Sequence, residues 1–388
     1  MRNFELEFNS VNNHTRSLLE EYVYWGAKIE VADTQQWMYN ELIDFVNFRM
    51  ETASTCLFLS ESNRIADSFG LCRSLLENYL LFILMCRGHK WFQVRDCSNL
   101  TEGKFKQLLA EESVRVPRAH AAGESRYTSV MKHPKLTRRL MYILDGISGG
   151  DDPGFMVPAH YFQFQEFRPD AMRLPADAYF EYHDFSQEVR ASRKEYQAEM
   201  STVYREFLSY DALLRCLELN GLTSSGATGR IEAHYVFLGS FLHPTHEAAR
   251  KLHEKSNHYD GQPAIGLKHP YRAEVRLLSA LYICFLTAGI LDEIVRVHEN
   301  APSKYIKSSG SAEIRKLIQE VPRRYNYFWF ISNAPAPFDK YRHFGYSSTV
   351  EERERWGDWT AVPDDAPKFN KEILDQLAES FSFLQAGH

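Results

Sequence analysis

The feature that most constrains the fold of this chain is a charge-free apolar stretch from Leu277 to Leu291. This stretch is shorter than the ~20 residues that a bilayer span needs. We therefore interpret it as part of a buried central helix, predicted from Tyr271 to Glu299, and we expect no membrane span.

Helical periodicity dominates most of the remaining sequence. Further helices are predicted at Asn12 to Glu30, Gln35 to Ser60, Asn63 to Arg87, Phe185 to Leu219, Arg230 to Leu242, Pro244 to Lys255, Ser311 to Glu320 and Asn370 to Leu384. The capping residues at Ser60-Glu61-Ser62-Asn63 predict that the two helices on either side are antiparallel and joined by a tight turn.

Proline and glycine recur between Trp91 and Tyr182, which predicts a loop-rich region with short helices at Glu102 to Glu112 and Pro134 to Leu144. The predicted fold class is all-α, a helical bundle with a loop-rich insertion and an irregular C-terminal cap. In this organisation residues 1–90 and 185–300 form the N-terminal and C-terminal helices of one core. Residues 91–184 are the insertion packed on that core, and residues 301–388 are the cap.

Charge and cysteine usage restrict the location and the partners of the chain. A net charge of −6 excludes a global basic field, so any contact with nucleic acid must be local. Six cysteines without a Cys-x-x-Cys spacing, and an N-terminus without a signal-peptide pattern, predict a cytoplasmic protein.

Two predicted helices far apart in the sequence each carry a small polar cluster among apolar residues. In the first, Arg73 and Glu77 are spaced so that their side chains can pair, on a face otherwise made of Leu, Phe, Ala and Gly. A buried pair would need further hydrogen bonds or a ligand to offset its desolvation. The alternative is an ordinary surface ion pair.

The second cluster surrounds the dipeptide His243-Pro244. Tyr235 and His243 lie on one helical line with Ser240 beside them, and Pro244 cannot donate to the carbonyl of Ser240, which predicts a helix break. A new helix starting at Pro244 would present free N–H groups that favour anions next to His243. This histidine could then act as an acid, a base or a donor to phosphate, or it could merely cap a kinked helix.

These two elements resemble elements of the HEPN-like all-helical bacterial proteins. They are Arg73-Ser74-Leu75-Leu76-Glu77 and Tyr235-Val236-Phe237-Leu238-Gly239-Ser240-Phe241-Leu242-His243-Pro244-Thr245. The resemblance covers roughly residues 35–90 and 200–298. It implies a HEPN-like helical core and a role in antiviral (phage) defence or toxin–antitoxin systems. Many proteins of this family are metal-independent ribonucleases, often active as dimers.

The ribonucleases of that family use an Arg-x4–6-His motif on one helix, and His243 has no arginine at that distance before it. The spacing occurs only at Arg115/His120 and Arg126/His133, in the middle region, where we expect chance matches away from a confident helix.

The resemblance and the clusters together predict a polar pocket inside the bundle that binds a nucleotide or an RNA phosphate, with metal-independent ribonuclease activity in a homo-oligomer. In this hypothesis Arg73 holds the anion, Glu77 orients Arg73, and His243 is the donor or general acid/base. The ligand-binding candidates are Tyr235, Ser240, Thr245 and His246. The alternative is a non-enzymatic interaction or scaffold protein that binds a protein partner and whose polar cluster is structural.

No cofactor is predicted, and the histidine-rich stretch from His243 to His258 does not predict a metal site. Arg250 shares the helical face of His243, His246 and His253 and would repel a cation.

A second candidate for contact with nucleic acid is Arg323-Arg324, followed by aromatic residues up to Phe330. These rings could stack on single-stranded nucleic acid, but burial in the core is the favoured interpretation. This C-terminal region could also contain a short strand.

Overall fold

The computed structural model describes residues 3–32, 37–88, 90–133, 137–144, 156–158, 171–173, 182–184, 187, 210–223, 225–242, 252, 271–301, 303 and 305–387. The fold is all-α, as the sequence predicts, with a few short strands. The helices are α1 (Phe4–Gly26), α2 (Trp37–Glu61), α3 (Ile65–Arg87), α4 (Glu102–Ala121), α5 (Tyr210–Leu219), α6 (Ser225–Gly239), α7 (Ala273–Glu299), α8 (Ala312–Arg324), α9 (Pro337–Arg342), α10 (Val350–Trp356) and α11 (Ile373–Gln385).

Within the ranges given above, the strands form three small antiparallel sheets. They are β1 (Glu30–Val31), β2 (Trp91–Asp96), β3 (Ser129–Lys132), β4 (Arg139–Leu144), β5 (Met156–Pro158), β6 (Ala171–Arg173), β7 (Tyr182–Asp184) and β8 (Ile306–Ser308). One sheet has the order β3-β4-β2-β5, and the other two are the pairs β1-β8 and β6-β7.

The predicted central helix is confirmed as α7, which contacts α1, α2, α3, α8 and α11. Every side chain from Leu277 to Leu291 is buried. Among the described residues, two helices, α3 and α7, are long and apolar enough to cross a membrane, but 61% and 94% of their most apolar windows are buried inside the protein. A central core helix can have the same length and composition as a membrane span. Because α7 is buried on all sides by other parts of the protein, it has the surroundings of a core helix.

The predicted antiparallel pair is confirmed as α2 and α3. Phe45 of α2 stacks on Phe82 of α3 with ring centroids 4.9 Å apart, at nearly equal distances from the turn between the helices. After the end of α2, Asn63 has a left-handed backbone with a φ of 57°. The N–H of Arg64 donates back to the carbonyl of Leu59 in the last turn of α2, at 2.8 Å. The turn is therefore a helix C-terminal motif, and no side chain caps the start of α3.

The middle region differs from the prediction because it contains a four-stranded sheet and a longer helix, α4. The helix predicted from Pro134 to Leu144 is wrong, since residues 139–144 form the strand β4. Met141 and Ile143 of β4 belong to the main core, whereas Leu140 and Tyr142 belong to a second, smaller core with α4. Because β4 is buried on both faces, its sequence is a continuous apolar run, which periodicity cannot distinguish from a buried helix.

Other boundaries agree with the predictions to different degrees. The predicted helices at Ser311 to Glu320 and Asn370 to Leu384 are present as α8 and α11. Helix α6 begins at Ser225, five residues before the predicted start at Arg230. The helix predicted from Pro244 to Lys255 lies almost wholly outside the described residues, and so does most of the helix predicted from Phe185, of which α5 is described.

Candidate functional site

The polar cluster with the clearest geometry lies where α3, α5 and α6 meet. Arg73 is on α3, Tyr235 is on α6, and Tyr210 is the first residue of α5. Helix α3 contacts both α5 and α6, so three elements distant in sequence hold these side chains together. All three residues are half-buried.

The guanidinium of Arg73 lies over the ring of Tyr235. Its Cζ is 4.4 Å from the ring centroid, which is a cation–π contact, and its Nη2 donates a hydrogen bond to the Tyr235 hydroxyl at 2.5 Å. A Cβ on Gly239 would lie 3.3 Å from Nη1. The absence of a side chain at Gly239 therefore gives the guanidinium its place beside the end of α6.

Arg73 and Glu77 form the pair that their spacing predicts, with 3.4 Å between Nε and Oε1. Nε makes no hydrogen bond to any described residue, so charge holds the pair at a distance that is long for direct contact. The side chains are 21% and 38% exposed. Neither the fully buried pair nor the ordinary surface pair describes this arrangement, because both residues lie on a half-buried edge of α3.

Tyr210 completes the cluster and was not found from the sequence. Its ring stacks on that of Tyr235 with centroids 3.4 Å apart and planes 6° apart. Its hydroxyl is buried without a hydrogen-bond partner in the described part of the chain. No local pattern marks this tyrosine, because its role depends on how α5 packs against α6.

Burial raises the pKa of both tyrosines, so their hydroxyls stay protonated at neutral pH. Desolvation is the main cause for Tyr210, and the carboxylates of Glu232, Asp211 and Glu77 add to it. Desolvation also raises the pKa of Tyr235, while the hydrogen bond from Arg73 opposes the shift. The cluster thus contains a single cation beside neutral rings, with carboxylates around it.

Ser240 follows α6 directly, but its hydroxyl does not reach the guanidinium. Its Oγ donates to the carbonyl of Phe237 at 2.7 Å, so the side chain closes the last turn of α6. Two residues later, Leu242 approaches α3, where its Cδ2 would be 3.4 Å from a Cβ on Gly70. The other predicted site residues, His243, Thr245 and His246, lie outside the described residues.

The two Arg-x4–6-His matches do not form a shared site. Arg115 and His120 both lie on α4, contrary to the expectation that they lie away from a helix, but their spacing points them about 140° apart. Arg115 donates two hydrogen bonds to Glu112, at 2.8 and 2.7 Å. His133 is fully buried, which lowers its pKa to about 4.

The aromatic run after Arg323-Arg324 packs in the core, as favoured from the sequence. Tyr325, Tyr327, Phe328, Trp329 and Phe330 are at most 3% exposed, so these rings offer no stacking surface to a nucleic acid. The rings of Phe328 and Phe330 contact His234, whose pKa is lowered to about 3 by burial. This histidine is a neutral core residue.

Comparison with known proteins gives no relative. No family model matches the chain, and no curated protein or solved structure gives a significant match. The HEPN-like resemblance therefore depends on the two sequence elements alone. Among the residues that the structure describes, no three His, Cys, Asp or Glu side chains form a group that could hold a metal ion.

Proposed function

We propose that this chain is a HEPN-like helical protein of bacterial phage-defence or toxin–antitoxin type that binds a nucleotide or an RNA phosphate through Arg73. The observation that carries the proposal is a guanidinium held in place by a tyrosine ring and hydroxyl on one side and by a carboxylate on the other. Arginine is suited to phosphate because its planar fork presents several N–H donors at fixed angles.

The unused donors of Arg73 support this proposal. Nη2 donates to Tyr235, whereas Nη1 makes no hydrogen bond within the described part of the chain. The Arg73 side chain is 21% exposed, and a ligand that reaches Nη1 would meet a donor that has no partner among the described residues. Tyr235 and Glu77 fix the orientation of the guanidinium before binding, which reduces the entropy that binding costs.

The location of the cluster also supports the proposed roles of the other residues. Arg73 lies one turn along α3 from Gly70, which Leu242 approaches, and the chain continues from Leu242 directly into His243. We assign His243 as donor or general acid/base in RNA cleavage without a metal. The remaining ligand-binding positions are Tyr235, Ser240, Thr245 and His246, in a homo-oligomer.

The experiment is an incubation of the purified chain with total RNA and labelled tRNA in the presence of EDTA. The variants are Arg73→Met, His243→Ala and, as a matched control, Arg118→Met, which removes an exposed arginine of α4. We expect cleavage by the wild type and the control and its loss in both site variants. Unchanged cleavage in both site variants would contradict the proposal.

The same samples are tested for RNA binding. Binding that depends on Arg73, without cleavage by the wild type, would restrict the function to binding a phosphate. A wild-type chain that neither binds nor cleaves RNA, and binds no nucleotide, would refute the proposal.

A second candidate function is a scaffold in which the cluster is purely structural. The stack of Tyr210, Tyr235 and Arg73 favours it, since it joins α5, α6 and α3 in one contact. In that case Arg73→Met lowers the melting temperature and RNA binding is absent from the wild type. Partners would then be proteins.

A further inference from the structure

The C-terminal cap contains a cavity of about 320 Å³ that is separate from the Arg73 cluster. It lies between the end of α9, the turn that follows it, and residues 368–371 before α11. Its volume is at the lower end of the ~300–1,000 Å³ that small-molecule sites occupy. The cavity can therefore hold a small ligand but not a folded macromolecular segment.

The cavity concentrates positive charge in a chain whose net charge is −6. Four basic side chains line it, namely Arg342, His343, Lys368 and Lys371, against one acidic side chain, Asp339. Such a cluster of cations repels itself unless an anion lies between its members.

The arginine and lysine side chains of the cavity form no direct ion pairs among the described residues. Arg342, Lys368 and Lys371 are exposed, and none of them forms an ion pair within the described part of the chain. The nearby Asp364 pairs instead with Lys340 at 2.6 Å, outside the cavity lining. The charges that face the cavity thus remain available to a ligand.

The one acidic residue of the lining is compatible with an anionic ligand. Asp339 is 4% exposed, and Gln376 donates to its Oδ2 at 2.9 Å. Burial raises its pKa to about 6, although Gln376 and Arg342 oppose the shift. Below about pH 6 the carboxyl group is therefore mostly protonated, and in that form it can donate a hydrogen bond to an anion.

The remaining walls are built to present polar groups beside an apolar surface. His343 and Ser347 begin and end a single turn of π-helix, a form that occurs frequently at functional sites. Phe369 forms the apolar wall and is held by an edge contact with Trp329, with ring centroids 5.3 Å apart. A ligand in the cavity would meet charged groups and one aromatic ring.

We propose that this cavity is a binding site for a small phosphate monoester, with Arg342, Lys368 and Lys371 contacting the phosphate and Phe369 contacting the organic part. One arginine and two lysines against one carboxylate leave an excess of two positive charges, which matches a phosphate dianion. Charge-assisted hydrogen bonds from arginine and lysine are the usual means of holding such a group. The site is independent of Arg73 and of the RNA function proposed above.

The test is calorimetric titration of the full-length chain with inorganic phosphate, adenosine 5′-monophosphate and adenosine. The cavity variant is Lys368→Met/Lys371→Met, and the matched control is Lys104→Met/Lys106→Met, which removes two exposed lysines of α4. Melting temperatures of both variants show that they are folded.

We expect adenosine 5′-monophosphate to bind the wild type and the control with a Kd of about 1 mM or below, and the cavity variant at least about tenfold more weakly. Arg73→Met is expected to retain this binding, which separates this site from the RNA site. Comparable affinity for inorganic phosphate would show that the phosphate is the main determinant, and weaker affinity would show a contribution from the organic part.

Three results would overturn the proposal. The first is equal affinity of the cavity variant and the control, the second is binding of adenosine as tight as that of its monophosphate, and the third is no binding of any probe at about 10 mM.

Discussion

A double-mutant cycle between Arg73 and Tyr235 tests whether their contact contributes to the free energy of unfolding. Tyr235→Phe removes only the hydroxyl that accepts from Nη2 and keeps the ring under the guanidinium and against Tyr210. Arg73→Met removes the charge and keeps an apolar stem of similar length. The double variant shows whether the two losses are independent.

The expected magnitude follows from the geometry. A hydrogen bond to a charged group contributes ~1.5–3 kcal/mol, and because Arg73 is 21% exposed we expect about 1.5 kcal/mol, the lower end, for Tyr235→Phe. Arg73→Met loses that bond, a cation–π contact of ~0.5–1 kcal/mol and an ion pair of ~0.3–0.5 kcal/mol, together about 2–3 kcal/mol. In the Arg73→Met background, Tyr235→Phe should cost almost nothing, which gives a coupling energy of about 1.5 kcal/mol.

The assay is urea denaturation of the four proteins, with Tyr346→Phe as a control because that tyrosine is 83% exposed. The control should change the free energy of unfolding by less than ~0.5 kcal/mol. If the cost of the double variant equals the sum of the two single costs to within ~0.5 kcal/mol, the contact contributes nothing to stability. The description of the cluster would then be wrong.

Three further substitutions test the fold and the cavity. Glu293 is 1% exposed and paired with two arginines that are about a third exposed, so Glu293→Gln should cost about 2–3 kcal/mol in urea denaturation, below the ~3–5 kcal/mol of a fully buried pair; a cost under ~1 kcal/mol would contradict this. The carboxyl of Asp339 has its pKa raised from 3.8 to about 6, so the contribution of this group to stability is most favourable below pH 3.8 and is lost as the pH rises through about 6. Asp339→Asn should therefore be more stable than the wild type by up to ~3 kcal/mol at neutral pH and nearly equal below pH 3.8, and a difference independent of pH would refute the argument. A Cβ on Gly289 of α7 would lie 2.6 Å from Cζ of the buried Tyr79, so Gly289→Ala should lower the free energy of unfolding by about 1–2 kcal/mol, since overpacking outweighs the gain of ~1 kcal/mol in helix propensity; a more stable variant would show that the ring can move freely.

The sequence predicts those parts of the fold that are marked by a long uninterrupted pattern or by residues close together in the chain. The central helix α7 has a charge-free apolar run, and the turn at Asn63 carries residues that end helices, so both were found. The sequence predicts a helix where the strand β4 lies, because residues buried on two faces show no alternation. The prolines around it predict loops, whereas the structure has a short sheet there.

The candidate site was predicted in part, for a comparable reason. The spacing of Arg73 and Glu77 on one helix predicts their pairing, since contacts at this distance are set by the helix itself. The polar clusters and the resemblance together predict that Tyr235 lies in the same pocket as Arg73, but they predict neither its direct contact with Arg73 nor the stack with Tyr210. The lining of the cavity is spread over two separated segments, so no spacing in the sequence reveals that its cations converge.

The most direct test of the central claim, that Arg73 contacts phosphate, is the salt dependence of RNA binding. Labelled single-stranded RNA is titrated with the wild type, Arg73→Met and the control Arg118→Met over a series of salt concentrations. Each phosphate contact with a single strand adds ~0.7 to the slope of log K against log salt. We predict that Arg73→Met binds more weakly, with a slope smaller by ~0.7, and that the control is unchanged; equal affinity and equal slope in all three proteins would contradict the claim.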